Sequence, residues 1–277
     1  MKTINLARQD YSGINYKIHH FPDGQVQLEI TECLCNFKDE LKVVSRLCHG
    51  NDLFILLQLD DILRRSGIKY KLIIPYLTAG RCDRLFNYGQ AITVDIITNI
   101  LKGLYCSKIE ILEPHSGRSI DEKCNIFGVT NYMLKEVNIK FPCNIALPDR
   151  GALDRTLDLI RNWKDKGIIV CSKVRDSKTN KLSGFKVENT MDYVEGRPIY
   201  LVDDLCDGGG TFLGLAEKLR ELNPESLNLM VTHAIQPEGL AKVSKVYDKV
   251  YITNSFNDWD LILPDEENIE VINVLKI

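Results

Sequence analysis

Residues 199–212 read IYLVDDLCDGGGTF, and this stretch indicates how the chain folds. The apolar run IYLV is typical of a buried strand, and residues 211–222 have the apolar spacing of an amphipathic helix. The residues between them, DDLCDGGGT, therefore form a turn from a strand into a helix. In open α/β folds, such turns lie at the carboxyl edge of a parallel sheet, where ligands bind.

Helical and β-rich segments alternate along the rest of the chain. Each segment with helical spacing is followed by a short apolar run, which is typical of strands joined by crossover helices in a parallel sheet. The helix-then-strand units are 51–66 with 69–76, 93–104 with 107–114, 153–166 with 167–174, and 211–222 with 226–233. The sequence therefore predicts an α/β fold with mostly parallel sheets flanked by helices, and with two units on each side of about residue 140.

Residues 173–197 interrupt this alternation. The segment begins KVRDSKTNKLSG and is rich in Lys, Ser, Asp and Asn. This composition is typical of surface loops, so we expect a mobile excursion there.

The overall composition limits the classes of function. The chain has 277 residues and a formal net charge of -3. Nucleic acids and anionic membranes are bound mainly through a surplus of Lys and Arg, so we expect neither as a partner. No apolar run approaches the roughly 20 residues of a membrane span. The nine cysteines are scattered without a CxxC pair, which is typical of thiols in a reducing compartment, so we expect a cytoplasmic protein.

The three consecutive glycines at 208–210 suggest an anion site. Glycines let neighbouring backbone N–H groups point inward together, and a helix that starts near Thr211 adds the positive end of its dipole. Such a loop can hold a phosphate. The residues alone leave open a plain tight turn in which Asp207 caps the helix.

Asp203 and Asp204 come directly before this loop and carry the wrong charge for a phosphate. Carboxylates accept hydrogen bonds from hydroxyl groups, and a sugar phosphate has hydroxyls a few ångströms from its anion. A ligand that combines a polyhydroxy sugar with a phosphate therefore satisfies both parts of the turn.

The segment VDDLCDGGGT resembles the phosphoribosyl-pyrophosphate fingerprint of type I phosphoribosyltransferases and of phosphoribosyl-pyrophosphate synthetases, also called ribose-phosphate pyrophosphokinases. Further segments, in the same order as in the synthetases, favour that family. They are FPDGQV at 21–26, PYLTAGRCDR at 75–84, EPHS at 113–116, LPDRGA at 147–152, SKVRD at 172–176 and VTHAIQPEGL at 231–240. The segment KVRDSKTNKLSGF is most similar to the shorter, phage-like members.

The resemblance implies two tandem type I phosphoribosyltransferase-like domains. We expect an N-terminal domain at 1–138 that holds ATP and is completed by a returning strand within 262–277. We expect a C-terminal domain at 139–261 that holds the ribose phosphate. Similar enzymes assemble as dimers within hexamers, so the resemblance also implies a homo-oligomer.

The resemblance also implies the residues of an ATP site. In similar enzymes the first segment contacts adenine from a neighbouring subunit, the second holds ATP, and a histidine helps to hold Mg²⁺ with the triphosphate. The corresponding residues here are Phe21, Asp23, Gln25, Arg81, Cys82, Arg84 and His115. Cys82 and Gln25 depart from the family pattern, which has a glutamine and an acid there. Without the resemblance, PDG would be a simple β-turn, and the two arginines would form surface salt bridges.

The remaining implied residues belong to the metal and ribose-phosphate sites. Mg²⁺ would be held sparsely by His115, Asp149 and Glu113, since it keeps waters and phosphate oxygens as ligands. Lys173 and Arg175 would stabilise the transition state; a solvated basic loop and a structural His115 are the alternatives. The implied ribose-phosphate residues are Asp203, Asp204, Asp207, Gly208, Gly209, Gly210 and Thr211.

The activity implied is transfer of the β,γ-pyrophosphoryl group of ATP to the anomeric hydroxyl of ribose 5-phosphate, which releases AMP. Gly208 lacks the threonine hydroxyl of many members, so a 5-substituted ribose such as ADP-ribose, in a phage route that rebuilds NAD, is an alternative acceptor. A phosphoribosyltransferase and a non-catalytic regulatory paralogue also stay open.

Overall fold

The computed structural model of the chain describes residues 1–34, 37, 39–118, 124–137, 139, 142–152, 156, 166–175, 182–263 and 266–276. The chain divides into two compact units. Unit 1 comprises Met1–Phe127 and Val274–Ile277, and unit 2 comprises Gly128–Asn273. The boundary therefore lies about ten residues before the predicted one at 138, counting from Phe127.

Unit 1 contains a five-stranded, wholly parallel sheet in the order β1-β4-β5-β6-β7. Its strands are β1 (Thr3–Asn5), β4 (Leu41–Val44), β5 (Tyr70–Ile74), β6 (Lys108–Leu112) and β7 (Cys124–Phe127). Its helices are α1 (Gly50–Arg65) and α2 (Thr93–Lys102), and a 3₁₀ turn spans Gln9–Tyr11. The two predicted helix-then-strand units of this half are confirmed.

Helix α1 forms because its apolar residues share one face. Leu56, Leu59 and Leu63 follow helical spacing and are fully buried in the core of unit 1. The carboxylate of Asp52 accepts hydrogen bonds from the backbone N–H groups of Cys48 (2.9 Å) and His49 (2.7 Å), which satisfies donors at the start of the helix.

A separate hairpin joins β2 (Tyr16–His20) to β3 (Val26–Ile30), which pair antiparallel. Gln58 of α1 secures it: its amide accepts from Leu28 N–H (2.8 Å) and donates to the carbonyl of Val26 (2.9 Å). One side chain thereby occupies two backbone groups that β3 would otherwise leave unpaired.

The last residues of the chain return to unit 1, but not as a strand. The Asn5 amide donates to the carbonyl of Leu275 (3.3 Å), and the Lys276 ammonium lies 4.4 Å from the centroid of the Tyr11 ring. The strand that we expected to return, β14 (Ile269–Ile272), instead pairs with β13 (Lys249–Thr253) in unit 2. The returning segment is thus shorter than the predicted 262–277.

Unit 2 contains a seven-stranded sheet in the order β10-β9-β8-β11-β12-β13-β14. Its strands are β8 (Cys143–Leu147), β9 (Lys166–Arg175), β10 (Leu182–Met191), β11 (Ile199–Cys206), β12 (Leu227–Ala234), β13 (Lys249–Thr253) and β14. Its described helices are α3 (Val129–Glu136), α4 (Gly210–Arg220), α5 (Pro237–Val243) and α6 (Trp259–Ile262). Every neighbouring pair is parallel except β9 with β10.

The polar stretch after residue 173 forms regular structure. β9 and β10 are antiparallel strands of ten residues each, with Lys173 opposite Phe185 and Ser172 opposite Lys186. Where we expected a mobile excursion, the structure has two paired strands. The residues between them, 176–181, lie outside the described residues. Polar composition misled the prediction because β10 is an edge strand whose side chains are largely exposed.

The α/β fold with mostly parallel sheets flanked by helices is confirmed. Most of the helix predicted at 153–166 lies outside the described residues. Among the described residues, no helix combines the length and the apolar character that crossing a membrane requires.

A buried carboxylate joins α1 to the sheet of unit 1. Asp60 accepts hydrogen bonds from the Tyr70 hydroxyl (2.8 Å), the Tyr105 backbone N–H (2.6 Å) and the Arg64 guanidinium (2.9 Å). Burial is the main cause that raises the pKa of the Tyr70 phenol far above its usual range, and the nearby negative charge of Asp60 raises it further. The phenol therefore stays protonated and remains a donor to the carboxylate.

Replacing Asp60 with Ala should lower the free energy of unfolding by about 3 kcal/mol, because the two buried donors, Tyr70 O–H and Tyr105 N–H, lose their acceptor. Asp61→Ala is the matched control on the same helix, since its partner Arg65 is exposed, and it should cause little change. Urea unfolding of both variants measures this. Equal effects would contradict the assigned role of Asp60.

Candidate active site

The glycine loop leads from β11 into α4. Gly209 is the residue before the helix and has a left-handed backbone (φ 78°, ψ -7°) that side chains disfavour. A Cβ at Gly209 would lie 3.0 Å from the carbonyl oxygen of Gly239 and 3.1 Å from Val243 Cγ1. Helix α4 begins at Gly210, one residue before the predicted Thr211, so its free N–H groups face the loop.

Helix α5 packs directly on this loop. A Cβ at Gly239 would overlap the carbonyl oxygen of Asp207, so the two backbones approach as closely as glycine permits. The backbone N–H of Ile235 also donates to the carbonyl of Cys206 (2.9 Å). The loop is therefore held from the side of the neighbouring strand as well as by its own helix.

The paired carboxylates lie in the strand rather than in the turn. β11 continues through Cys206, so Asp203 and Asp204 point to opposite faces of the sheet: Asp203 is half-buried and Asp204 is buried. The Asp204 backbone N–H donates to the Asp203 carboxylate (2.9 Å). Burial, together with the charges of Asp203 and Asp207, raises the pKa of the Cys206 thiol to about 12, so this thiol stays neutral.

A buried polar network supports the end of β12 beside the loop. His233 Nδ1 and Ser255 Oγ are 2.8 Å apart. The hydroxyls of Thr253 (2.6 Å) and Ser255 (3.1 Å) both donate to the carbonyl of Thr232. The indole N–H of Trp259 donates to the carbonyl of Ala234 (3.1 Å). These bonds give the segment before α5 a fixed position.

Lys173 lies near the end of β9 and is exposed. It is opposite Phe185 on β10, and residues directly opposite in a sheet share a face. Phe185 packs so closely on α4 that a Cβ at Gly214 would overlap its ring. Lys173 therefore lies on the face of the sheet that carries α4. For Arg175, only the backbone is described.

Asp149 begins a helical turn. Its carboxylate accepts a hydrogen bond from the backbone N–H of Ala152 (2.9 Å), and residues 150–152 are helical. This is the geometry of a helix cap. One carboxylate oxygen of the predicted metal ligand is thus engaged with the backbone.

In unit 1, the loop after β5 lies against the loop after β6. A Cβ at Gly80 would be 3.3 Å from His115 Cβ, and Ala79 has a left-handed backbone (φ 62°). Arg81 and Cys82 are exposed beside them. The structure therefore brings the predicted RCDR and EPHS segments together.

Arg84 is paired within its own loop. Its guanidinium donates two hydrogen bonds to the Asp83 carboxylate, at 2.8 Å and 2.9 Å. Arg84, with a further hydrogen bond from Ser116, lowers the pKa of Asp83 to about 2. The pair is a salt bridge of the kind that the residues alone left open for Arg84.

A metal site made by protein groups alone is absent from the described part of the chain. No group of three or more His, Cys, Asp or Glu side chains there could hold a metal ion. Glu113, with a left-handed backbone (φ 39°), donates its N–H to the carbonyl of Phe127 (2.9 Å). Glu113 and His115 supply oxygen and nitrogen atoms at one loop, which fits only a sparsely held Mg²⁺.

Phe21, Asp23 and Gln25 form the exposed tip of the β2–β3 hairpin. Gly24 N–H donates to the carbonyl of Phe21 (3.0 Å), and Phe21 N–H donates to the carbonyl of Gln25 (2.9 Å). The Asp23 carboxylate accepts from Gln25 N–H (3.1 Å). The segment PDG therefore lies in a turn between β2 and β3.

Sequence reasoning missed two residues beside the glycine loop, Gly239 and Gln236. Both lie in VTHAIQPEGL, a segment that was quoted for its resemblance but given no role. Gln236 Oε1 is 3.9 Å from the position that a Cβ of Gly208 would occupy. Only the packing of α5 on the loop reveals them.

Comparison with known proteins explains why these segments occur together. No family model matches the chain. Ribose-phosphate pyrophosphokinases from Pyrococcus abyssi (29% identical, covering 87% of this chain and 84% of that protein) and Campylobacter jejuni (28%, covering 94% and 83%) are similar to it. The chain is homologous to ribose-phosphate pyrophosphokinases. The resemblance to phosphoribosyl-pyrophosphate synthetases is thereby confirmed.

The fold agrees with this homology. A crystal structure of phosphoribosylpyrophosphate synthetase from Mycobacterium smegmatis superposes with a TM-score of 0.78, at 17% identity, and covers 96% of this chain and 88% of that one. The predicted type I phosphoribosyltransferase-like fold is confirmed. Because both chains are covered almost fully, the likeness extends over both units.

Gly209→Ala should lower the free energy of unfolding by about 1–2 kcal/mol, because alanine is strained in the left-handed conformation. Gly210→Ala is the control, since no atom of the described residues packs within 4 Å of its Cβ position and its backbone is helical. Denaturant unfolding of both variants measures the difference. Equal stabilities would show that Gly209 does not hold the left-handed conformation.

Proposed function

We propose that the protein is a ribose-phosphate pyrophosphokinase that transfers the β,γ-pyrophosphoryl group of ATP to the anomeric hydroxyl of ribose 5-phosphate. The products are a phosphoribosyl pyrophosphate and AMP. The observation that carries the proposal is the loop from β11 to α4, in which carboxylates precede a glycine turn at a helix N-terminus. The homology to proteins named for this activity supports it.

The acceptor binds at the β11–α4 loop. The backbone N–H groups of Gly209, Gly210 and Thr211 and the positive end of the α4 dipole hold the 5-phosphate. The half-buried Asp203 and Asp207 accept hydrogen bonds from ribose hydroxyls. Asp204 is buried on the other face of β11, so its role is to position the loop rather than to contact the sugar.

Lys173 acts on the transferred group. Pyrophosphoryl transfer places charge on the equatorial and leaving oxygens, and a cation beside them lowers the barrier. Lys173 is exposed on the face of the sheet that carries α4 and the acceptor loop. Arg175, two residues further along the strand, is assigned the same role from the resemblance.

ATP binds through unit 1. Arg81 and Arg84 face the triphosphate, and Arg84 exchanges Asp83 for a phosphate oxygen as its acceptor. Cys82 cannot offer the amide that similar enzymes have at this place. Phe21, Asp23 and Gln25 are exposed at a hairpin tip, so they are free to contact the adenine of a neighbouring subunit in a homo-oligomer.

The resemblance and their donor atoms assign Glu113 and His115 of unit 1 to Mg²⁺; in unit 2, the resemblance assigns Asp149 as a metal ligand. When bound with the triphosphate, Mg²⁺ would neutralise phosphate charge. The protein groups contribute few bonds to it: His115 lies beside Gly80, and Asp149 retains one oxygen for a ligand while the other caps a helix.

Lys173→Ala should lower kcat for AMP release at least about 100-fold, because charge on the transferring group loses its counterion. Lys186→Ala is the matched control: this exposed lysine lies on the same hairpin opposite Ser172, on the other face of the sheet. Chromatographic assay of AMP measures both variants, and circular dichroism checks their folding.

A parent protein that releases no AMP from ATP and ribose 5-phosphate would support a non-catalytic regulatory role instead. Release of pyrophosphate only when phosphoribosyl pyrophosphate and a nucleobase are supplied would indicate a phosphoribosyltransferase.

A second acceptor deserves a test because of Gly208. Among the described residues, the position of its missing Cβ has only Gln236 Oε1 within 4 Å, at 3.9 Å, so packing there does not require glycine. The space admits an acceptor with a larger group on its 5-phosphate, of which ADP-ribose is an example. We propose this acceptor second to ribose 5-phosphate, because a glycine loop also holds a plain phosphate.

Gly208→Thr distinguishes the acceptors. The added side chain should lower kcat/KM for ADP-ribose roughly tenfold relative to ribose 5-phosphate, because it fills the space that the larger acceptor needs. Mass spectrometry of the products with each acceptor measures the ratio, with Gly50→Ala at the start of α1 as the control. If the parent forms no product with ADP-ribose, this second acceptor is excluded.

A further inference from the structure

The side chain of Gln236 is unusual for its surroundings. Gln236 is the residue before α5, is exposed, and makes no side-chain capping hydrogen bond. Among the described residues, no hydrogen bond of its side-chain amide is seen. The amide is nevertheless directed to the glycine loop, because its Oε1 is the nearest atom to the open side of Gly208.

The backbone that carries Gln236 is held on several sides. Pro237 restricts the first turn of α5, and the N–H groups of Gly239 (3.1 Å) and Leu240 (3.2 Å) donate to the carbonyl of Gln236. One residue earlier, Ile235 N–H is bonded to the carbonyl of Cys206. The network around Thr232 and His233 fixes the preceding strand end.

This fixed position limits what the amide can reach. Gly239 lies against the carbonyl of Asp207, so α5 cannot move nearer to the loop or rotate without a clash. The side chain of Gln236 therefore extends over Gly208 from a rigid base. A rigid base lowers the conformational entropy that a side chain loses when it binds a ligand.

We infer that Gln236 is a specificity-determining residue, whose amide donates a hydrogen bond to the phosphate on the 5-oxygen of the acceptor at the side that Gly208 leaves open. This inference rests on the proposed function of the loop. The ligand class is a ribose with a phosphate, or a phosphate ester, on its 5-oxygen. An amide suits both, because its NH₂ group can donate to the phosphate oxygens that either ligand presents.

The negative charge near the loop favours a neutral hydrogen-bond donor at this position. The half-buried Asp203 and Asp207 place negative charge beside the loop, and in the proposed site the phosphate is held by backbone N–H groups. A neutral donor on the open side adds a hydrogen bond to an anion, which is stronger than a bond between neutral groups. A cationic side chain at this position would instead pair with Asp203 or Asp207, and a neutral amide avoids that competition.

Gln236→Met and Gln236→Glu test the inference. Methionine keeps the length of the side chain and removes the donor, so the KM for ribose 5-phosphate should rise roughly tenfold with kcat and the KM for ATP little changed. Glutamate adds repulsion of the phosphate and should raise the KM further. Glu238→Gln, two residues away and exposed, is the control.

Unphosphorylated ribose separates recognition of the phosphate from a structural effect. If the amide binds the phosphate, kcat/KM for ribose should be unchanged in both Gln236 variants. A loss with ribose as large as that with ribose 5-phosphate, or no change of KM for ribose 5-phosphate, would overturn the inference.

Calorimetric titration of ribose 5-phosphate into the parent and the variants distinguishes a failure of this inference from a failure of the proposed function. A parent that neither binds ribose 5-phosphate nor releases AMP would overturn the proposed function and the inference together. A parent that does both, with variants that bind as tightly, would overturn the inference and leave the function standing.

Discussion

The close approach of two backbones, at Gly239 and Asp207, determines the geometry of the acceptor loop. No residue with a Cβ fits at Gly239 without overlap with the carbonyl of Asp207. Gly209 next to it takes a left-handed conformation and lies 3.0 Å, at its Cβ position, from the carbonyl of Gly239. The loop, the start of α4 and the start of α5 thus form one packed group, in which each glycine is required by the other.

The strand β11 places the two carboxylates that precede this packed group on opposite faces of the sheet. Because β11 continues to Cys206, Asp203 and Asp204 are directed to opposite faces, and only Asp203 is partly accessible. Below β12, the buried hydroxyls of Thr253 and Ser255 both donate to the carbonyl of Thr232. The carboxylate of Asp203 and the backbone N–H groups at the start of α4 therefore lie within a few residues of each other.

Unit 1 exposes the guanidinium groups of Arg81 and Arg84 in the loop after β5. Arg84 is held by Asp83, whose pKa of about 2 keeps the carboxylate ionised at neutral pH. Left-handed residues at Ala79 and Glu113 occur in the two loops that meet at His115. Such strain persists only where the surroundings compensate for it, and it is common at functional sites.

The sequence by itself determined the α/β fold, most helices and strands, and the residues of the glycine loop, because hydrophobic periodicity and glycine runs are local properties. It missed the β9–β10 hairpin, since an exposed edge strand lacks an apolar pattern. It also assigned the last strand to the wrong sheet. β14 pairs with β13 in unit 2 rather than with a strand of unit 1, and no local sequence signal encodes a pairing partner. Only the tertiary structure decided that Asp204 is buried, because this depends on which face of β11 meets the core. It also decided that Arg84 pairs with Asp83, through the conformation of their loop. That Gln236 faces Gly208 depends on the packing of one segment on another.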